Sequence, residues 1–308
     1  MKPIIYIDRL SGQKKIEKVF GASALRLLYG NAILRSTILP AISKLPFFSA
    51  AYGFFQRLPS TKKKIAPFIK DFEVDATEFQ EPVTSFRSFN DFFIRQLKST
   101  ARPVAAEEDK AIIPADARYY FYQNIDEVDG FVVKGCKFTL KSLLEDEKLA
   151  SQYKGASMVL ARLCPSDYHR FHFPCDGNPG ESRLINGWLY SVNPLAIKRD
   201  IAIFIKNKRT VCSIKTANFG EVLYLEIGAT NVGSIHQTYI PFQEQSKGAE
   251  KGYFSFGASS LILLFEKGRI KFDADLLEAS EQGIEIRCLM GQSMGTAPTS
   301  HAQSTSNI

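Results

Sequence analysis

The sequence predicts an α+β fold, in which a β-rich body follows a helical N-terminal layer. Three observations support this prediction. Apolar residues recur at helical spacing before residue 70, whereas from about residue 111 the chain consists of short alternating runs separated by Gly, Pro, Asn and Asp. No strict alternation of strands and helices follows, which argues against a doubly wound sheet. At 308 residues and 45% hydrophobic, the chain can bury a sizeable core.

The helical layer is assigned to residues 1–70 and the body to residues 71–308. The clearest apolar helical face consists of Phe48, Ala51, Tyr52 and Phe55. Residues 1–70 also carry 13 Lys and Arg against 2 Asp and Glu. Aromatic side chains beside lysines suit an anionic membrane surface, where each basic residue contributes about 1 kcal/mol. Helices that only pack on the body explain the pattern equally well. No piece reaches the ~20 apolar residues of a membrane span, and no nucleic-acid motif accompanies the charge.

The body contains seven runs typical of strands and two helical candidates. The strand candidates are AIIPADARYYFY, GFVVKG, SMVLARL, RTVCSIKT, EVLYLEIG, YFSFG and SLILLFEKG. The helical candidates are SFRSFNDFFIRQL (85–97), which begins at Ser88 or Asn90, and FTLKSLLEDEKLA (138–150). The five cysteines form no CxxC pair and the N-terminus has no apolar core of signal-peptide length, so a reducing cytoplasmic setting is expected.

Residues able to transfer protons are concentrated in CPSDYHRFHFPCDG (164–177). Asp167, His169 and His172 lie close together there, and the chain has only four histidines. In an extended segment the two histidines point to opposite faces, whereas in a turn they converge. Cys164 and Cys175 flank them, so a zinc site is an alternative, although no second ligand cluster supports it. Histidines that are simply bonded into a loop are the plainest interpretation.

Further polar residues lie elsewhere along the chain. Asp116 follows a strand in a turn context, where a carboxylate can orient an imidazole. His236 ends a run of Gly and small polar residues, and Ser259 and Ser260 interrupt a strand. One hypothesis is a Ser-His-Asp hydrolase, but Ser259 is not in a G-x-S-x-G turn before a helix. The other is a serine that attacks the carbonyl before it and ends as a pyruvoyl group.

A series of motifs runs from FNDFF (89–93) to MGQSMG (290–295). Between them lie PAD (114–116), DYHRFHFP (167–174), LINGWLYSVNP (184–194), FGEVLYLEIGATNVGSI (219–235), KGAEKGYFSFG (247–257) and SLILLFEKG (260–268). In order and spacing this series resembles the bacterial type of phosphatidylserine decarboxylase. The segments NVGSIHQ, FDADL and RCLMGQSMG resemble the chlamydial branch. The resemblance implies conversion of phosphatidylserine to phosphatidylethanolamine and carbon dioxide through a Schiff base on a covalent pyruvoyl group.

The resemblance also assigns roles to individual residues. It implies cleavage between Ala258 and Ser259, giving a β chain of residues 1–258 and an α chain of residues 259–308 that begins with the pyruvoyl group. It implies that Asp116, His172 and Ser259 form the self-processing triad. His169 would handle the substrate and return a proton, and Asp167 would support processing. No metal is implied.

The resemblance also implies an oligomeric state, a membrane substrate and a cellular location. The enzyme would act as a heterodimer of the two chains, with a homodimer of heterodimers also possible, on phosphatidylserine in an anionic membrane. It would be peripheral, on the cytoplasmic face of a bacterial membrane, and would not bind nucleic acid.

Three residues depart from the family pattern. Ala258 replaces the usual glycine before the reactive serine, Ser260 replaces threonine, and Ala117 replaces the glycine after PAD. Alanine reaches unusual backbone conformations at a cost of about 1 kcal/mol or more, so slower processing is expected. These departures leave an unprocessed, membrane-binding homologue without catalysis as an alternative, together with the hydrolase.

Overall fold

A computed structural model describes residues 3–19, 30–31, 34, 51, 53–126, 139–197, 200, 202–229, 235–257 and 259–298. The strands are β1 (Ile5–Asp8), β2 (Gln13–Ile16), β3 (Lys110–Ile112), β4 (Ala117–Tyr122), β5 (Ser157–Leu163), β6 (Arg170–His172), β7 (Asn178–Pro179), β8 (Arg183–Ile185), β9 (Arg209–Lys215), β10 (Glu221–Gly228), β11 (Ile235–Gln237), β12 (Glu250–Phe254), β13 (Ser259–Phe265), β14 (Lys271–Phe272), β15 (Glu285–Cys288) and β16 (Ser293–Thr296). The α-helices are α1 (Ile65–Phe72), α2 (Phe89–Phe93), α3 (Leu140–Leu144), α4 (Glu147–Gln152), α5 (Pro194–Ile197), α6 (Ile203–Lys206) and α7 (Ala274–Glu281).

Three sheets account for the strands in the described part of the chain. The largest has ten strands in the order β2-β1-β15-β4-β5-β13-β10-β9-β7, with β8 also paired to β9. Its pairs are antiparallel except for β1 and β15, which are parallel. Two small sheets have the orders β11-β12-β6 and β14-β16-β3. The α+β class and the β-rich body are therefore confirmed.

Strand β13 lies inside the large sheet, between β5 and β10. All seven of its residues are buried, as the unbroken apolar run predicts. Leu261, Leu263 and Phe265 join the core cluster that contains Phe171 of β6, whereas Ile262 and Leu264 join the cluster on the other face. By alternation, Ser259 faces the small sheet that carries β6, and Ser260 faces away from it.

Helix α2 begins where the sequence predicts. The Ser88 hydroxyl accepts a hydrogen bond from the backbone N–H of Asp91 and caps the helix. The phenylalanines of α2 form an aromatic cluster with neighbouring segments, consisting of Ile65, Phe68, Phe79, Phe86, Phe89, Phe92, Phe93 and Phe256. Since Phe256 lies three residues before Ser259, this cluster fixes α2 against the approach to β13.

The second helical candidate, FTLKSLLEDEKLA, is divided into α3 and α4. Glu145 ends α3 with a left-handed backbone (φ 48°), and the Asp146 carboxylate caps α4 by accepting from the N–H of Leu149. A single periodic pattern does not reveal such a break. The strand candidate GFVVKG lies outside the described residues.

The N-terminal layer includes a hairpin that the sequence analysis did not anticipate. Strands β1 and β2 pair with each other, and β1 extends the large sheet by pairing with β15. Helical structure follows in a 3-10 helix over Pro59–Lys64 and in α1, which crosses the predicted boundary at residue 70. Much of the predicted membrane-associating segment, including Phe48 and Tyr52, lies outside the described residues. Within the described ranges, the search for a helix of membrane-spanning length and apolarity finds none.

Candidate active site

Ser259 lies at the start of β13, with its side chain fully buried. Its register partners are Leu163, the last residue of β5, and Gly228, the last residue of β10. Gly257 has a φ of 142°, a conformation that favours glycine. Ala258, the other half of the predicted cleavage site, lies outside the described residues. The chain thus adopts a glycine-specific conformation two residues before the buried serine.

His169 is the histidine that contacts Ser259. Its Nδ1 lies 3.4 Å from Ser259 Oγ, and its Nε2 lies 2.8 Å from the carbonyl oxygen of Cys164. A nitrogen that faces a carbonyl oxygen carries the proton, so the neutral ring presents the Nδ1 lone pair to the serine. Phe93 stacks on the imidazole with ring centroids 3.9 Å apart. The Ser259 hydroxyl can therefore donate to Nδ1.

Burial keeps His169 neutral. It lowers the pKa of this histidine to about 3, although the hydrogen bond to the Cys164 carbonyl acts in the opposite direction. A neutral imidazole with a free Nδ1 can accept a proton from a neighbouring hydroxyl. The contact with Ser259 is therefore of the kind found between an activated serine and its base.

A turn after β5 holds His169 in this position. The Asp167 carboxylate accepts a hydrogen bond from the Cys164 backbone N–H at 2.7 Å, and the Asp167 N–H donates to the Cys164 carbonyl at 2.8 Å. Arg118 donates to the same Asp167 carboxylate at 2.8 Å. Burial raises the pKa of Asp167, and the positive charge of Arg118 opposes the rise. Asp167 thus supports the segment that carries His169.

Asp116 is paired with an arginine. Its carboxylate accepts from Arg102 Nε at 2.9 Å and Nη2 at 2.7 Å, and from the backbone N–H of Met290 at 2.9 Å. Arg102 also binds Glu78. No hydrogen bond joins Asp116 to His172 in the described part of the chain. In this structure the Asp116 carboxylate therefore faces Arg102, and the arrangement against an imidazole, which the resemblance implies, stays a prediction.

His172 is buried at the end of β6. Its backbone N–H donates to the Pro114 carbonyl at 2.8 Å, and its ring lies over Tyr168 with centroids 5.7 Å apart. Nδ1 has no hydrogen-bond partner among the described residues. Burial lowers the pKa of His172 to about 4, opposed in part by the charges of Glu250 and Asp116. The structure therefore brings Ser259 together with His169 and leaves His172 in separate surroundings.

The third candidate histidine has partners of its own. His236 Nε2 lies 3.0 Å from the Ser255 hydroxyl, and its ring stacks on Tyr253 with centroids 4.6 Å apart. Burial lowers its pKa as well. These contacts fix His236 on the small sheet, in keeping with the plain interpretation of a histidine bonded into its surroundings.

Two residues of α2 complete the site, and the sequence analysis gave neither a role. The Asn90 side-chain oxygen accepts from the backbone N–H of Phe256 at 3.0 Å, which fixes the segment just before Ser259. Phe93 covers the ring of His169. The signal that could have found them is FNDFF, which begins the resemblance. A buried side-chain amide such as that of Asn90 needs hydrogen-bond partners, and these can come from another segment of the chain.

The carboxylates of Asp116 and Asp167 line a cavity of about 350 Å³. Arg95, Arg102 and Arg118 also line it. Ser259 and His169 are not among its described lining residues. No three His, Cys, Asp or Glu side chains in the described ranges are arranged to hold a metal ion.

Acidification is expected to destabilise a Ser259→Ala chain through its two buried histidines. The folded pKa values of about 3 for His169 and about 4 for His172 lie below the ordinary value of 6.5. Their contribution to stability is full above pH 6.5 and falls as the pH drops, because the unfolded chain then binds more protons. The loss at about pH 5 is about 2 kcal/mol per histidine.

Urea unfolding from about pH 7.5 to about pH 5 measures this loss. His169→Gln in the same chain should reduce the pH dependence by roughly a third to a half, because one of the two buried imidazoles is gone while His172 and the partly buried His236 remain. An unchanged pH dependence in that variant would show that His169 is protonated, or exposed to water, in the folded protein.

Comparisons with known proteins agree on one family. The family profile described as phosphatidylserine decarboxylase matches residues 89–296. A phosphatidylserine decarboxylase proenzyme of Chlamydia pneumoniae is 49% identical over 290 residues, which cover 94% of this chain and 96% of that protein. The proenzyme of Chlamydia caviae is 48% identical over 295 residues (96% and 98%), and that of Fusobacterium nucleatum is 45% identical over 292 residues (95% and 97%).

Proposed function

Because the chain belongs to the phosphatidylserine decarboxylase family and converts phosphatidylserine to phosphatidylethanolamine and carbon dioxide, we propose that it acts through a pyruvoyl group made from its own Ser259. The observation that carries the proposal is the contact between the buried Ser259 hydroxyl and Nδ1 of a neutral His169. The name proenzyme, which the relatives bear, is consistent with a chain that is cleaved before it works. Gly257, with its φ of 142°, and the Ser259 hydroxyl supply the backbone freedom and the nucleophile that such a cleavage needs.

The cleavage begins with proton transfer. His169 Nδ1 takes the hydroxyl proton as Ser259 Oγ attacks the carbonyl carbon of Ala258. The bond from that carbon to the nitrogen of residue 259 then breaks, the nitrogen takes the proton from His169, and an ester replaces the amide. Loss of the Cα proton of residue 259 then expels the Ala258 carboxylate from Cβ. The resulting dehydroalanine takes up one water, releases ammonia and leaves a pyruvoyl group at the start of the new chain. No outside oxidant is consumed.

The geometry and the family resemblance favour different histidines as the acceptor of the Ser259 hydroxyl proton. The resemblance gives it to His172, oriented by Asp116, whereas in the uncleaved chain His169 is the histidine within reach of the serine. We place the first transfer on His169 for that reason. The triad of Asp116, His172 and Ser259 stays a prediction, and variants of the two histidines separate the alternatives.

The pyruvoyl group fits the space at the start of β13. It has one heavy atom fewer than a serine residue, so it needs no more room than Ser259 already occupies between His169 and the segment held by Asn90. Its chemistry is that of a carbonyl electron sink for the pair of electrons released when carbon dioxide leaves. The group is covalent, so the chain requires no binding site for a separate cofactor.

The residues around Ser259 suit the decarboxylation that follows. His169 is held by the Cys164 carbonyl, so its Nδ1 can take a proton from the substrate amine and return one to the substrate carbon. Phe93 covers the ring, and the low exposure of the site limits premature protonation by water. A Ser-His-Asp hydrolase is not favoured, because Ser259 is completely buried and begins a central strand rather than a helix.

Attachment to the membrane is assigned to the N-terminal segment. Phe54 and Phe55 are 62% and 57% exposed, next to the lysines of the 3-10 helix over Pro59–Lys64. Exposed aromatic rings beside lysines suit the surface of an anionic bilayer. We therefore extend the proposal to a peripheral enzyme at the cytoplasmic face of the membrane, with residues 1–70 as the contact and residues 71–308 as the decarboxylase domain.

A pair of gels tests the proposed cleavage. On a denaturing gel the active protein is expected to separate into fragments of roughly 29 and 5 kDa, at about 110 Da per residue. On a native gel the fragments should migrate together, because β13 lies between β5 and β10 and β15 lies between β1 and β4. An active protein that runs as one intact band under denaturing conditions would rule out the pyruvoyl proposal.

A further inference from the structure

A buried carboxylate from the N-terminal hairpin reaches the interior of the body. The Glu17 side chain is 2% exposed and accepts from Arg162 Nη1 and Nη2 at 3.2 and 2.6 Å. Arg118 Nε forms an ion pair with the same carboxylate at 3.0 Å. Burial alone would raise the pKa of Glu17, yet the charges of Arg162 and Arg118 outweigh it and hold the pKa below its ordinary value. Glu17 is therefore an ionised group between two guanidiniums.

The two arginines need such a group because of their place in the sheet. Arg118 of β4 and Arg162 of β5 are direct register partners on antiparallel strands. Like charges directly opposite each other are destabilising, and more so when both side chains are buried. Glu17 lies between them and offsets this repulsion, whereas Glu285 of β15 forms an ion pair with Arg162, at 2.7 Å, and with no other arginine or lysine of the described ranges.

Both arginines also hold the turn that carries His169. Arg118 Nη1 donates to Asp167 at 2.8 Å, and Arg162 Nη1 donates to Cys164 Sγ at 2.9 Å. Asp167 and Cys164 are joined by two hydrogen bonds, and the Cys164 carbonyl accepts from His169 Nε2. A continuous series of contacts therefore runs from Glu17 through Arg118, Asp167 and Cys164 to His169 and Ser259.

We infer that Glu17 is a positioning residue for the serine site: its charge fixes Arg118 and Arg162, and they fix the turn that directs His169 at Ser259. The inference rests on the proposed function, since cleavage at Ser259 is the step whose geometry Glu17 would set. It gives the N-terminal segment a part in the chemistry, beyond any contact with a membrane. Residues 1–17 would then contribute to processing as well as to the sheet.

Three variants of the full-length chain test the inference. Glu17→Gln keeps the shape and removes the charge, Glu17→Asp keeps the charge, and Glu285→Gln removes the charge of a carboxylate that is paired with Arg162 but not with Arg118 among the described contacts. Glu17→Gln is expected to slow cleavage roughly 10- to 100-fold, the size of effect that a small misplacement of reacting groups produces. Glu17→Asp should stay within about threefold of the parent and Glu285→Gln within about twofold, each measured as the rate of appearance of the two fragments.

A spectroscopic measurement separates positioning from a general loss of stability. With ¹⁵N-labelled histidine in a Ser259→Ala chain, which has four histidines, NMR reports which ring nitrogen of His169 carries its proton. The Ser259→Ala chain should show the His169 proton fixed on Nε2. The same chain with Glu17→Gln should remain folded and show a mixture of the Nε2-protonated and Nδ1-protonated tautomers. Glu285→Gln should match the parent.

The inference is overturned if Glu17→Gln cleaves at the parental rate, if Glu17→Gln and Glu285→Gln slow cleavage equally, or if the His169 signals of Glu17→Gln match the parent. If the parent chain itself is never cleaved, the proposed function fails. The NMR comparison still decides whether Glu17 positions His169 in that case, so the two failures are distinguishable.

Discussion

Replacing Ser259 by alanine is expected to leave one uncleaved chain without decarboxylase activity. The substitution removes the oxygen that attacks the Ala258 carbonyl. Without an oxygen on Cβ there is also no leaving group whose loss would give dehydroalanine and then the pyruvoyl group. Compensation by another residue is not expected, because Ser259 Oγ is the hydroxyl that contacts His169. A denaturing gel and the release of carbon dioxide from carboxyl-labelled phosphatidylserine measure the two losses.

Ser260→Ala is the matched control. Ser260 is equally buried and adjacent in sequence, but it faces away from the small sheet, and its hydroxyl has no hydrogen-bond partner among the described residues. Loss of an unsatisfied buried hydroxyl is neutral or stabilising, so this variant should be cleaved and active like the parent. If the Ser259→Ala chain were cleaved and the Ser260→Ala chain were not, the reactive serine would be Ser260 and not Ser259.

His169→Gln is expected to slow cleavage by roughly 100-fold or more, because general-base catalysis contributes about 10²- to 10⁴-fold. The expectation follows from the 3.4 Å contact between His169 Nδ1 and Ser259 Oγ, together with the free lone pair that the Cys164 hydrogen bond leaves on Nδ1. His172→Gln should reduce the rate less, since no described contact joins His172 to the serine. Fragment appearance after synthesis of each variant gives both rates, and thermal melting checks that both chains are folded.

The reverse result has a definite meaning. If His172→Gln prevents cleavage while His169→Gln is cleaved normally and lacks only decarboxylation, the triad implied by the family resemblance holds. The contact between His169 and Ser259 would then serve the second reaction and not the first. Such a result would require Asp116 to exchange Arg102 for His172 during processing.

The features that the sequence predicted correctly have local signals. The unbroken apolar run of β13 predicts a strand buried on both faces, and the start of α2 at Ser88 follows from a side chain that can accept from the first turn. The series of motifs from FNDFF onward predicts the family, which the comparisons confirm. Each of these signals lies within a few neighbouring residues or in the order of short motifs.

The features that the sequence did not predict depend on contacts between residues far apart in the chain. The parallel pairing of Tyr6 with Glu285, and the burial of Glu17 between Arg118 and Arg162, join residues more than one hundred positions apart. Hydrophobic periodicity carries no information about such partners. The pairing of Asp116 with Arg102 is likewise between separate segments of the chain, and the role of Asp116 in orienting a histidine stays a prediction.

The choice between the two histidines was open for a similar reason. An extended segment and a turn place His169 and His172 differently, and their spacing fits both. In the structure the segment does both in succession, since a turn over residues 164–167 precedes His169 and β6 follows directly. His169 therefore follows the turn and lies beside Ser259, and His172 lies at the end of the strand. Only the register of β5 against β13 reveals which of them meets the serine.

The mass of the small chain tests the central claim, that Ser259 becomes the pyruvoyl group, most directly. Mass spectrometry of the active protein should find a chain of residues 259–308 that is lighter by one ammonia than the same sequence beginning with serine, and reduction with borohydride should add two hydrogens to it. A small chain with an intact N-terminal serine, or an active protein of full length with no second chain, would contradict the claim.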